Sequence, residues 1–356
     1  MKSIYRFCFV LLLFVTISSV SFAGELSYEE AEEVINSYSP DSQLYTVSDS
    51  IMLMSYTDNS CVYTYYKLEP YGYAILLNET GALMEAVYED ATFLPYNNIE
   101  SEYYYIGPFN YYEKINGINY DLMSNEIISD NKLDMLISYE ENVITNEIRR
   151  DLKESKSILS TYSTSSVTTV EKYVQQNYFA NMKKFGTNVN GTCTVLSAAI
   201  LLGYYDEYVN DTYVSSVYKD GTGTTEAFHQ LLNSYVYGEN AQGGIFIRDA
   251  LDGFNAYLDA RNVSTTFKSE YGVQKAVLNK MYMLIYNNTP MIASIGSHLG
   301  SYWDHTCVVY GAIYRQGPSI DPTDSIVFRV HMGWHDYVYN TYTASGAWFY
   351  ECGYIE

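Results

Sequence analysis

Two residue types in this chain can combine for nucleophilic chemistry, and both are sparse: five cysteines and five histidines. Cys193 follows the turn-forming Asn190-Gly191-Thr192 and precedes the run Val195 to Leu202, in which only Ser197 is polar. His305 opens the apolar segment His305-Thr306-Cys307-Val308-Val309, and His331 stands in Val330-His331-Met332-Gly333-Trp334. Cysteine catalysis needs a thiolate nucleophile, a histidine that takes and returns its proton, and a third group that orients the imidazole. Cys193, His305 and His331 are the candidates for those roles. The competing account of Cys193 is a small buried hydrophobe, as most free cysteines are.

The elements around these residues must bring them together. An apolar run with one polar residue predicts a helix buried on all sides rather than an amphipathic surface helix. Asn190, Gly191 and Thr192 supply turn and capping chemistry that starts this helix at or next to Cys193. The thiol then faces the positive end of the helix dipole, where a thiolate is stabilised. Segments 305–314 and 325–334 read as strands, and an antiparallel pair of them sets His305 and His331 side by side. Helical patterns at 226–232, 247–258 and 273–285 come before these strands, with a further strand at Met291 to Ile295. Helices first and strands last predict an α+β domain in which a helical lobe packs on an antiparallel sheet.

The N-terminal half reads differently. Residues 26–38 form an acidic amphipathic helix, with Ala31, Val34, Ile35 and Tyr38 on one face and a capping box between Ser27 and Glu30. From Gln43 to Tyr112 the chain breaks into short strands between Asp, Asn, Gly and Pro turns, which predicts a smaller α+β domain with a meandering sheet. This half has no histidine, and its only cysteine after the first 23 residues is Cys61. A Ser/Thr-rich stretch at 159–169 is the best linker. The boundaries are therefore 1–23 as a signal peptide, 24–158 as the N-terminal domain, 159–169 as linker and 170–356 as the C-terminal domain.

The signal peptide rests on Lys2 and Arg6, the apolar Phe7 to Val15, and the small-x-small Ser21-Phe22-Ala23. It predicts a secreted protein, with no membrane span elsewhere. A net charge of -22, from 20 Lys+Arg against 42 Asp+Glu, argues against nucleic acid as a partner. The 41 tyrosines and the acidic balance suggest an adhesive, Tyr-rich surface. Four cysteines after the signal are no disulfide framework at this length, although Cys307 and Cys352 both fall in predicted strands and could pair. No Cys-x-x-Cys spacing occurs, and neither a metal nor a cofactor is expected. His229, on a predicted helix, reads as a surface or satisfied residue; His298 and His335 read as loop residues. Trp334 reads as a shield for the histidines or as core.

Residues 170–356 resemble the papain-fold bacterial cysteine peptidases, on Asn188-Val189-Asn190-Gly191-Thr192-Cys193, Leu201-Leu202-Gly203-Tyr204-Tyr205-Asp206, His305 to Gly311 and Val330 to Trp334. The likeness is greatest to a secreted Firmicutes group of these peptidases and extends more distantly to streptopain and the double-glycine leader (bacteriocin-processing) peptidases. It implies a cysteine endopeptidase acting on a protein or peptide substrate, with Cys193 as nucleophile and His305 as general base and acid. It also implies a side-chain donor to the oxyanion hole just upstream of the cysteine. Asn188 takes that part, because Thr187 stands where papain-type enzymes have glutamine. His331 stands where streptopain-like enzymes have asparagine, with Asp336 and Asn340 as fallback orienters. The same resemblance makes residues 24–158 a candidate pro-domain. The alternatives are an amidase or transpeptidase on cell-wall peptides with the same site, or a catalytically inactive peptidase-fold adhesin.

Overall fold

The computed structural model describes residues 26–39, 43–56, 59–90, 95–96, 101–108, 110–123, 125–139, 168–181, 192–220, 223–238, 244–296, 305–316, 323, 326–333 and 342–356. The signal-peptide expectation, most of the Ser/Thr-rich stretch, Asn188, His298, Trp334, His335, Asp336 and Asn340 lie outside the described residues.

The chain is α+β. It opens with α1 (Tyr28–Ser37), whose capping box forms as the sequence predicts: the Glu30 N–H donates to the Ser27 hydroxyl at 3.3 Å, and the Ser27 N–H donates to Glu30 Oε2 at 3.0 Å. Ala31 and Ile35 are fully buried on its inner face, and Tyr38 is buried beside them. There follow β1 (Thr46–Met54), β2 (Cys61–Glu69), β3 (Tyr73–Leu77), β4 (Ala82–Val87), β5 (Glu102–Tyr105), β6 (Tyr111–Ile115), β7 (Ile118–Asp121), β8 (Glu126–Ile127) and α2 (Asp130–Tyr139). The C-terminal half begins with β9 (Thr168–Tyr173) and α3 (Gln176–Asn181), then α4 (Cys193–Tyr208). A small ribbon of β10 (Lys219–Asp220) and β11 (Gly223–Thr224) precedes α5 (Glu226–Tyr237) and α6 (Ile247–Ala260). The remainder is β12 (Phe267–Tyr271), α7 (Gln274–Tyr286), β13 (Met291–Ile295), β14 (His305–Gln316), β15 (Val327–His331), β16 (Tyr342–Ser345) and β17 (Phe349–Ile355).

The sequence divides these elements into two domains, yet all the described strands outside the β10–β11 ribbon form one sheet. Its order is β12-β17-β13-β14-β15-β16-β4-β3-β2-β1-β5-β6-β7-β8. The two halves meet where β16 pairs antiparallel with β4, in the register Tyr342↔Val87, Thr343↔Ala86 and Ala344↔Glu85. Strand β14 is longer than its neighbours. Residues 305–309 pair with β13 and residues 311–316 with β9, so two short strands share one edge of it. The sequence reading misses β7 to β12 and β16, and reaches β17 only at Cys352. Strand β17 is buried at every position and lies between β12 and β13.

Two expectations from composition are corrected. The tyrosines do not coat the surface: Tyr63, Tyr65, Tyr73, Tyr96, Tyr103, Tyr104, Tyr105, Tyr111 and Tyr112 are all buried in one apolar cluster. Tyrosine suits this role because its ring fills a β-sheet core while its hydroxyl can reach a buried acceptor, as Tyr96 does at the Tyr104 carbonyl. Cys307 and Cys352 do not pair; both are free and fully buried. The register explains it, since each is opposite Ala293 from a different side of β13. Two strand spacings of about 4.8 Å separate their backbones, beyond the reach of a disulfide.

Candidate active site

Helix α4 starts at Cys193 and is buried at every residue through Asp206. It packs on β13 and β14. Its N-cap, Thr192, makes no side-chain bond to the helix's own first turn. Instead its hydroxyl lies 3.2 Å from His229 Nε2 on α5. His229 is therefore not a surface residue: it is buried against the residue preceding the nucleophile candidate, and burial lowers its pKa.

Three hydroxyls fasten the start of α4 to the start of β14. Ser197 donates to the Thr306 carbonyl at 2.7 Å, which is the task of the one polar residue in the apolar run. Thr194 donates its only hydroxyl proton to the Ile245 carbonyl at 2.7 Å. Its 2.9 Å contact with the Thr306 hydroxyl must then be donated by Thr306. The Cys193 thiol sits within this cluster. Burial raises its pKa, and main-chain hydrogen bonds from Thr306 and Thr194 act in the opposite direction. The sulfur thus lies against the residue that directly follows His305. Burial is the larger effect, so the resting group is a thiol.

His305 is buried, with Nε2 2.9 Å from the Met332 carbonyl. A carbonyl only accepts, so Nε2 carries the proton and Nδ1 is the basic nitrogen of the neutral ring. Burial lowers the His305 pKa to about 4, partly offset by the Met332 bond. At neutral pH the ring is an uncharged base.

The sequence offers the His331 side chain as orienter; the contact recorded for His305 Nε2 comes from the main chain one residue later. In the β14–β15 register His331 is opposite Val308, three residues beyond His305. Its Nδ1 accepts the Gly333 N–H at 3.1 Å, which fixes a neutral Nε2–H ring. Gly333 has φ +91, and a Cβ there would come within 2.2 Å of Leu196 Cδ2. Only glycine lets the chain turn this close to α4 while the preceding carbonyl points at His305. Sequence reasoning marked the Gly-Trp pair but had no means of knowing that a backbone oxygen, rather than a side chain, would meet the imidazole.

No family model and no curated protein sequence matches the chain. Among solved structures it is similar to a Prevotella intermedia prointerpain A fragment carrying a cysteine-to-alanine substitution. The identity is 12%, with 86% of this chain and 97% of that chain covered, at a TM-score of 0.39. That likeness is too distant to carry argument, and the functional reading rests on the site. Among the described residues no group of three or more His, Cys, Asp or Glu could hold a metal ion, and no helix is long and apolar enough to cross a membrane.

Proposed function

We propose that the chain is a secreted cysteine endopeptidase, made as a precursor, that cleaves peptide bonds through a thioester on Cys193. The observation that carries this reading is the thiol at the first residue of α4, lodged against Thr306 beside His305, whose protonated Nε2 is bound by the Met332 carbonyl. That arrangement leaves the basic Nδ1 of His305 as the proton acceptor.

The pair starts uncharged, so the mechanism is general-base catalysis rather than attack by a standing thiolate. As sulfur adds to the scissile carbonyl, the S–H proton passes to His305 Nδ1. The imidazolium so formed keeps its Nε2–H bond to Met332 and gives the new proton to the leaving amine. The C–N bond breaks and the acyl group remains on sulfur. Water then loses a proton to Nδ1 as it attacks the thioester, and the proton returns to sulfur when the C–S bond breaks. The helix dipole and the Cys193 N–H favour negative charge at the carbonyl oxygen. Asn188 is the side-chain donor we assign to the same oxygen, on the resemblance of its segment.

Alkylation of the full chain by an epoxysuccinyl inhibitor at neutral pH, read by mass spectrometry, tests the pair. We expect Cys193 to be labelled and His305→Ala to slow labelling by about a hundredfold or more. Equal, slow labelling in both proteins would mean an inert buried thiol and would leave the adhesin reading in its place.

A further inference from the structure

The junction between the two halves is built unlike a removable cover. Glu85 on β4 is fully buried, and both its oxygens are filled by tyrosine hydroxyls. Tyr73 and Tyr111 donate to Oε1 at 3.0 and 2.7 Å, and Tyr105 and Tyr342 donate to Oε2 at 3.0 and 2.8 Å. An ionised carboxylate offers about four acceptor positions, and these four donors occupy them. Three belong to the N-terminal half; Tyr342, on β16, belongs to the C-terminal half. Burial raises the Glu85 pKa and the four hydroxyls oppose it.

A second buried charge crosses in the other direction. Arg329 on β15 is 1% exposed. Its guanidinium donates to the carbonyl of Tyr38, at the end of α1, and to the Thr343 hydroxyl, and lies 5.2 Å from the Tyr88 ring centre. Apolar packing completes the seam. Trp348, fully buried, meets Tyr105 edge-on at 6.2 Å, and Gly107 approaches it so closely that a Cβ would fall 2.9 Å from the indole. On the opposite face Ile313 and Val327 share a core with Ala31 and Ile35. Separation would open the β4–β16 ladder, bare these apolar faces, and break both buried charges away from donors or acceptors that water must replace.

We infer that the N-terminal half is a permanent partner of the C-terminal half. Cleavage of the chain between them yields a two-chain protein held by the Glu85 cage and Arg329, not a released propiece. This inference concerns the fate of the precursor and holds whether or not Cys193 is catalytic.

The test uses the full chain after its signal peptide, with a unique protease site inserted in residues 159–167. After cutting at neutral pH, size-exclusion chromatography should return both pieces in one peak at the mass of the intact protein. Tyr342→Phe removes one cage donor and keeps the ring, so dissociation of the cut complex should become about tenfold to a hundredfold more favourable. Separation of the wild-type pieces on cutting would overturn the inference, as would a Tyr342→Phe dissociation constant within twofold of wild type. If uncut Tyr342→Phe fails to fold, Arg329→Lys is measured the same way, since lysine cannot fork to Tyr38 and Thr343 together. Alkylation of Cys193, measured on the same samples, reports separately on the peptidase reading.

Discussion

His305 is where residue identity and environment interact most strongly. A histidine in water titrates near 6.5, and burial brings this one to about 4. Between those values the unfolded chain binds a proton that the folded chain refuses, so stability rises with pH across the window and is lost as pH falls through it. The loss at the acid end amounts to roughly 3 kcal/mol. Urea denaturation of wild type and His305→Gln at pH 7 and at pH 4 should reveal it, with the wild type losing about that much more than the variant. Parallel losses in the two proteins would mean that His305 is not held neutral by the fold. Glu85 acts with the opposite sign, because a carboxyl with a raised pKa contributes less as pH rises. The His305→Gln comparison removes that background.

At the scale of elements, the contact between α4 and β14 decides where the sulfur sits. Helix α4 has no polar face to fix its rotation, so hydrophobic burial alone would leave its angle about the axis loosely specified. Ser197 and Thr194 supply the fix by binding Thr306 and Ile245. Ser197→Ala deletes one such bond and leaves a buried carbonyl with one partner fewer. We expect about 1–3 kcal/mol of destabilisation by urea melt, together with slower alkylation of Cys193 than in wild type. A variant of normal stability and normal labelling would show that packing alone orients the helix. The sequence made Ser197 visible as the sole polar residue of its run. It did not reveal its partner, which lies on a strand far along the chain. In the same way His229 could be assigned to a helix from its apolar neighbours, while its proximity to Thr192 depends on how α5 packs against α4.

At the scale of the whole molecule, the single sheet makes two sequence domains into one cooperative unit. Buried residues from Leu53 to Ile355 belong to one apolar cluster that crosses the β4–β16 junction. Equilibrium unfolding of the uncut chain should therefore give one transition, with tryptophan fluorescence and far-ultraviolet circular dichroism coincident. Tryptophan reports only on the C-terminal half, since the three tryptophans are Trp303, Trp334 and Trp348. Two separated transitions would mean that the halves fold as independent domains.

What the sequence alone determined is what local pattern encodes. The apolar run after Cys193 specified a helix buried on all sides, Ser27 and Glu30 its smaller N-terminal counterpart, and the β-rich alternation most of the strands. Only the tertiary structure decided which strands are neighbours. Pairing of β4 with β16 joins residues hundreds of positions apart through backbone hydrogen bonds, and backbone groups are the same in every residue. For that reason the Met332 carbonyl beside His305 and the tyrosine cage around Glu85 left no motif in the chain.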